Sequence, residues 1–209
     1  MNDKFKLTEE TIELPNRTLH RIEALKDFGF VHKGDKGGFV EKEDNLSIIG
    51  DSWIYGHAWV SGNARISGDA RILDNAHVYG NAIVFGDAWV YGEAIIAGDS
   101  EIYENARVSG QAEIVFNARI FGDAWVYGNA VVTDNAWVYD NARLFGNAWA
   151  LGYARISDNV NIFGNARVSG EARIFGNVLI FGNAKVFRNA VVSGHEWIFG
   201  DTEICGDTE

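Results

Sequence analysis

Aliphatic side chains recur at every sixth position of the chain from Ile48 to Ile204. Of these twenty-seven positions, twenty-six hold Ile, Val or Leu, and the exception is Ala150. Alanine usually stands two residues before the aliphatic residue, and Gly followed by Asn or Asp begins two residues after it. Because no insertion interrupts this period, we expect a single repeat architecture across 48–209.

The six-residue unit predicts a short strand followed by a corner. In the stretch Ala-x-Val-x, side chains alternate between two faces, so that Ala and the aliphatic residue point the same way. Gly-Asn and Gly-Asp tolerate the left-handed backbone conformation of a sharp turn, and they would break a helix at every sixth residue. We therefore predict an all-β, single-stranded solenoid with a dry interior of Ala and aliphatic side chains. If three units close one coil, it has about nine coils and is roughly 43 Å long.

The first 47 residues lack the repeat. We expect 1–47 to form a small N-terminal cap of a few short strands, with a turn at 34–38. A cap is needed because the first coil of a solenoid presents unpaired backbone groups.

Units such as Ile66-Ser-Gly-Asp-Ala-Arg and Val126-Tyr-Gly-Asn-Ala-Val resemble the hexapeptide repeat of left-handed β-helix proteins. This resemblance covers 48–209 and implies a left-handed, triangular solenoid of 18 residues per coil. Here Gly follows the aliphatic residue at the second position, whereas many acyltransferases of that superfamily have Gly directly after it. Three N-terminal segments are similar to bacterial YdcK-like proteins, which are classed with the acyltransferases: Arg21-Ile-Glu-Ala-Leu-Lys-Asp-Phe, Gly37-Gly-Phe-Val-Glu and Asn45-Leu-Ser.

With 18 residues per coil, outward side chains form columns, and two neighbouring columns are rich in aromatic residues. We call them together the aromatic face. The first column holds Trp53, Arg71, Trp89, Arg107, Trp125, Arg143, Asn161, Leu179 and Trp197. The second column holds Tyr55, Leu73, Tyr91, Ser109, Tyr127, Phe145, Phe163, Phe181 and Phe199.

The aromatic face predicts contact with another surface. Alternating Trp and Arg at a spacing of about 4.8 Å favours stacking of guanidinium on indole. The face spans roughly 500 Å², a size at which exposed apolar patches usually bind something. Two other interpretations stay open: the columns only stabilise the solenoid wall, or they line a ligand groove.

The other two faces differ in polarity. A mixed face combines aromatic and basic side chains, namely Phe85, Tyr103, Phe121, Trp137, Tyr139 and Phe175 with Arg65, Arg119, Arg155 and Arg173. A polar face carries Trp59, His77, Glu113, Thr133, Arg167, Lys185 and Glu203, and we expect it to remain solvated.

Charge and composition narrow the function classes. The net charge of −11 argues against nucleic-acid binding, which needs a basic stripe, although an acidic rod that mimics nucleic acid stays an alternative. No apolar stretch is long enough to cross a membrane, and 1–10 lack the apolar core of a secretory signal. The single cysteine, Cys205, excludes a disulfide framework. We expect a cytoplasmic protein that does not bind membranes.

Candidate chemistry is sparse. The resemblance to hexapeptide acyltransferases implies a catalytic histidine, often beside a projecting loop, and a coenzyme A site between subunits. His57 and His77 are the candidates, on adjacent coils with Glu93 one coil beyond, but neither adjoins an insertion. A corner column places Asp51, Asp69 and Asp87 on consecutive coils, where carboxylates repel unless a cation lies between them. Corner Asp is also ordinary turn chemistry.

The sequence thus favours a non-catalytic scaffold or binding module without a cofactor, which self-associates or binds a protein partner through the aromatic face. The alternative is an acyltransferase that uses acetyl-CoA or another acyl-CoA. Its support is analogy of fold.

Overall fold

The computed structural model describes residues 2–206. The repeat region forms a β-solenoid of about nine coils, and its three walls are sheets in which the strands of successive coils pair in parallel. This confirms the predicted fold class. One wall carries the aromatic face, and its nine strands are β4 (Trp53–Ile54), β7 (Arg71–Ile72), β10 (Trp89–Val90), β13 (Arg107–Val108), β16 (Trp125–Val126), β19 (Arg143–Leu144), β22 (Asn161–Ile162), β25 (Leu179–Ile180) and β28 (Trp197–Ile198).

The two remaining walls carry the mixed and the polar face. The mixed wall consists of β6 (Arg65–Ile66), β9 (Ile83–Val84), β12 (Glu101–Ile102), β15 (Arg119–Ile120), β18 (Trp137–Val138), β21 (Arg155–Ile156), β24 (Arg173–Ile174) and β27 (Val191–Val192). The polar wall contains β5 (Trp59–Val60), β8 (His77–Val78), β11 (Ile95–Ile96), β14 (Glu113–Ile114), β17 (Val131–Val132), β20 (Trp149–Ala150), β23 (Arg167–Val168), β26 (Lys185–Phe187) and β29 (Glu203–Cys205).

The coil length and the inward series follow the predicted pattern. Trp89 pairs in parallel register with Arg71 on one side and Arg107 on the other, which fixes 18 residues per coil. From Ile54 to Ile180 every sixth side chain is fully buried, together with the alanines two residues before it. The interior is therefore a continuous apolar column that holds the walls together through burial of aliphatic surface.

Backbone hydrogen bonds and glycine corners join successive coils. The Arg71 amide, for example, donates to the Ala88 carbonyl at 2.9 Å. At the corner, Gly110 has a φ of 69°, and a Cβ added there would lie 2.8 Å from the Gly128 amide nitrogen of the next coil. Glycine is thus favoured both by the left-handed backbone and by the close approach of the coils.

The N-terminal region forms three strands and a short 3-10 helix. The strands are β1 (Phe5–Leu14), β2 (Arg17–Ala24) and β3 (Lys36–Val40), and the helix spans Glu43–Asn45. β1 and β2 are antiparallel, β2 and β3 are antiparallel, and β3 pairs in parallel with β5. The N-terminal strands thereby extend the sheet of the polar wall by hydrogen bonding.

The expectation that Ile48 opens the inward series is wrong. Ile48 is 43% exposed, whereas Leu46 is buried and forms a parallel bridge with Ile66. Val40 likewise pairs with Val60, so the first coil has a register of 20 residues instead of 18. Two extra residues therefore lie between Leu46 and Ile54, and they push this loop outward.

The buried side chain of Lys4 holds that loop in place by hydrogen bonds. Its side chain is 1% exposed, and its Nζ donates to the carbonyl oxygens of Ser47 at 3.0 Å and Ser52 at 2.9 Å. The ammonium also lies 4.8 Å from the ring centre of Phe28. Burial lowers the pKa of Lys4 from 10.5 to about 8, because the charged form loses hydration; the Asp51 carboxylate opposes this change.

Candidate functional site

Five rings on the aromatic face stack into one ladder. Their centroids are separated in order by 4.8, 4.9, 5.1 and 5.6 Å, and the planes are within 16° of parallel. The spacing follows the coil repeat, because each ring belongs to the same position of successive coils. The ladder consists of Tyr127, Phe145, Phe163, Phe181 and Phe199.

The expected stacking of Arg on Trp occurs around one indole of the neighbouring column. The guanidinium of Arg71 lies 5.0 Å from the ring centre of Trp89, and that of Arg107 lies 5.8 Å from it. Trp125 behaves differently: its ring lies 4.6 Å from that of Tyr127 at an angle of 39°. The regular alternation in sequence therefore does not produce a uniform stack.

Trp53 does not belong to the exposed surface, contrary to expectation. It is 1% exposed because the N-terminal segment covers it, with edge contacts from Phe28 at 5.4 Å and Phe5 at 6.4 Å between ring centroids. Tyr55, next to it, is half-buried, and burial raises its pKa. The repeat alone carried no information about this contact.

The other predicted members of the face are at least partly accessible. Trp197 and Phe199 are the most exposed, at 67% and 57%. Trp89, Arg107 and Arg143 are also exposed. The half-buried members are Arg71, Tyr91, Trp125, Tyr127, Phe145, Phe163 and Phe181. The structure thus brings these residues onto one wall, with the ring ladder along its border.

The two candidate histidines lie in different surroundings. His57 is exposed at a corner, while His77 is half-buried and stacks on Trp59 with the rings 4.3 Å apart. Burial lowers the pKa of His77, and the Glu93 carboxylate partly offsets this effect. Within residues 2–206, no hydrogen bond joins the two imidazoles, and a catalytic role for either stays a prediction.

The three corner carboxylates of the predicted column lie at the surface. Asp51, Asp69 and Asp87 are all exposed, and the Asp51 amide donates to the Asp69 carboxylate at 2.9 Å. In the described part of the chain, no three His, Cys, Asp or Glu residues are grouped as metal ligands would be. The one side-chain hydrogen bond seen here joins two successive coils, and the cation ladder stays a prediction.

A cavity on the mixed face was not predicted. Its volume is about 570 Å³, and it opens where the ring column of this face is interrupted by Ser157. Tyr139 lies on one side of the gap and Phe175 on the other, with Arg155 and Arg173 along the edge. The column order in the sequence contained this gap, but its depth depends on side-chain positions.

The family model of the "YdcK Beta solenoid repeat" matches three segments of the chain, 64–80, 76–92 and 124–140. All three lie within the coils. A comparison with curated proteins gives no significant match. Among residues 2–206, no helix has the length and apolar character that crossing a membrane requires.

Proposed function

We propose that this chain, a β-solenoid protein with repeats of the YdcK type, is a non-catalytic binding scaffold that pairs with a second copy of itself. The pairing surface is the part of the aromatic face from Arg71 to Phe199. The observation that carries the proposal is an apolar, aromatic wall that lies open on an otherwise acidic molecule.

The composition of this wall matches the centre of a protein interface. Its eighteen outward positions contain no Asp or Glu, although the chain has a net charge of −11. Trp, Tyr, Phe and Arg are enriched at interface centres, and the most costly truncations fall on Trp, Tyr and Arg. Polar corner columns border the wall on both sides, beginning at Asp51 and at His57. An apolar centre with a polar rim is the usual anatomy of such surfaces.

The available area suits a weak dimer. Without Trp53 the wall spans eight of the nine coils, and it offers roughly 450 Å² per copy at the coil spacing. Two copies together bury roughly 900 Å², which is in the range of weak or transient interfaces. We therefore expect a dimer that dissociates on dilution.

A two-fold axis parallel to the solenoid makes the wall self-complementary. It places the Trp/Arg column of one copy against the Tyr/Phe column of the other. Arg143 then faces the Phe145 ring, which attracts a cation by about 0.5–2 kcal/mol as the contact is desolvated, while Arg71 faces Leu73 and Arg107 faces Ser109. In this arrangement the like charges of the three arginines do not oppose one another directly.

The proposal includes a cytoplasmic location. Cys205 is an exposed free thiol, and such a group stays reduced in that compartment.

The test is the molar mass of the protein by light scattering, with and without the double substitution Trp89→Glu and Trp125→Glu. We expect the wild-type protein to exceed 23.1 kDa and the double variant to return to that mass. Trp149→Glu is the matched control, because Trp149 is 38% exposed on the polar face.

Each other result of the light-scattering test has its own interpretation. An oligomer that survives the double substitution would assign self-association to another surface. A wild-type monomer at all concentrations would exclude it. Loss of mass in the Trp149→Glu control would show that the effect is not specific to the aromatic face.

A further inference from the structure

The mixed face contains a ladder of rings with one rung missing. Phe85, Tyr103, Phe121 and Tyr139 stack with centroids 4.8–4.9 Å apart and planes within 9° of parallel. The next coil has Ser157 at this position, and the following coil resumes with Phe175, which is 40% exposed. Tyr139 and Phe175 are thus two coils, or about 9.6 Å, apart. This gap holds one planar ring at the spacing of the ladder.

On the aromatic face, a serine at the equivalent position is contacted by an indole of the protein itself. There Ser109 interrupts the ring column, and the indole of Trp125, from the following coil, leans over it. Its Nε1 lies 3.4 Å from the Ser109 hydroxyl, and its ring lies 4.6 Å from that of Tyr127 at a tilt of 39°. At the mixed-face gap, the residue equivalent to Trp125 is Arg173, which supplies no ring. On the aromatic face an indole contacts the interrupting serine, whereas on the mixed face a cavity opens at Ser157.

Two guanidinium groups border this cavity on adjacent coils. Arg155 and Arg173 pair directly across β21 and β24. Arg155 is held in place, because its Nη1 donates to the Asn135 carbonyl at 2.8 Å and its guanidinium lies 3.9 Å from the ring centre of Trp137. Like charges opposite one another are unfavourable unless an anion lies between them.

The acidic residues at the rim, Asp140 and Asp158, bond to backbone amides and not to the two guanidinium groups. Asp158 accepts a hydrogen bond from the Gly176 amide at 2.8 Å, and Asp140 accepts one from the Asp158 amide at 3.3 Å. In the described part of the chain, Arg119 forms an ion pair with Glu101, but Arg155 and Arg173 form none. The donors of Arg173 therefore remain available to a ligand.

We propose that this cavity binds a planar aromatic anion. The ring inserts between Tyr139 and Phe175 over Ser157 as the missing rung, and its carboxylate or phosphate accepts hydrogen bonds from Arg155 and Arg173. The volume of about 570 Å³ lies within the range of small-molecule sites. Stacking between two rings gives affinity, and the guanidinium pair gives the preference for an anion.

The test is calorimetric titration of the full chain with naphthalene-2-carboxylate. We expect saturable binding with one site per chain. The uncharged 2-naphthamide and the non-planar cyclohexanecarboxylate should each bind at least about tenfold more weakly, a difference of about 1.4 kcal/mol. Equal binding of the amide would overturn the role of the arginines, and equal binding of the non-planar acid would overturn the stacking.

Two variants localise the site. Ser157→Phe supplies the missing ring and should abolish binding, while Arg173→Gln should weaken it about tenfold. Ser67→Phe, in the same column five coils away, is the matched control and should bind as the wild type does. Undiminished binding by Ser157→Phe, or no saturable binding by the wild-type protein, would contradict the proposal. Should Ser157→Phe not fold, saturation transfer from the probe to the Tyr139 and Phe175 ring protons of the wild type decides the location. Because this site lies on another wall, its failure would leave the self-association proposal intact.

Discussion

The indole Nε1 of Trp125 lies 3.4 Å from the hydroxyl oxygen of Ser109, one coil below it. This contact places a ring over a serine that would otherwise interrupt a column of aromatic side chains. At Ser157, in the equivalent column of the mixed face, the residue that corresponds to Trp125 is Arg173, although this serine too is almost fully buried.

The same substitution at these two serines should have opposite effects on stability. Ser157→Phe continues a ladder through an open cavity, and it should stabilise the protein by about 0.5–1.5 kcal/mol through ring stacking. Ser109→Phe must displace the Trp125 indole, and overpacking of this kind costs about 1–3 kcal/mol. Urea unfolding curves of both variants check the signs. A shift in the same direction for both would show that the indole does not occupy the Ser109 gap.

The two ends of the Trp/Arg column should respond differently to truncation. Trp53→Ala should destabilise the protein by about 3–5 kcal/mol, because it removes a buried indole that packs against Phe5 and Phe28. Trp197→Ala, at a position 67% exposed, should change the free energy of unfolding by less than about 0.5 kcal/mol. Urea denaturation of the two variants, at concentrations too low for self-association, compares their free energies of unfolding. Similar losses in the two variants would contradict the burial of Trp53.

Stability should increase with pH between about 8 and 10.5. In this window the unfolded chain keeps the Lys4 proton, whereas the folded protein has already released it, since burial lowers the pKa of Lys4 to about 8. The state that binds more protons is disfavoured as pH rises, so the unfolded state becomes less favourable relative to the folded state. The gain is on the order of 3 kcal/mol at most.

Lys4→Met tests the origin of this pH dependence. The stability of this variant should change less with pH than that of the wild type over the same window. The urea midpoint at each pH measures this change. An equal increase in both proteins would assign the effect to other groups.

The histidines should not support binding of acyl-coenzyme A. His77 stacks on Trp59 and its pKa is lowered by burial, while His57 is exposed at a corner. Calorimetric titration with acetyl-CoA should therefore give no saturable heat that is lost in His57→Ala or His77→Ala. Such a loss would favour an acyltransferase over a scaffold.

The six-residue period was sufficient to predict the coils and their interior. Ala and aliphatic side chains alternate with outward residues, and from Ile54 to Ile180 the aliphatic positions are fully buried. The period gave a wrong prediction for the first coil, because pairing of Leu46 with Ile66 lengthens that coil by two residues. A local pattern cannot reveal a register that is set by hydrogen bonding between distant strands.

The surfaces were less predictable than the interior. Column order identified the aromatic wall, but it did not show that Phe5 and Phe28 cover Trp53, since that contact joins a non-repeating segment to the first coil. It also did not distinguish Ser109 from Ser157. Their difference depends on the direction of the Trp125 side chain, which the six-residue period leaves undefined.

Sedimentation equilibrium of the unmodified chain, from low to high micromolar concentration, tests the central functional claim most directly. The account predicts that the mass rises from 23.1 kDa towards twice that value as the aromatic walls of two copies pair. A mass that stays at 23.1 kDa over the whole range would contradict it.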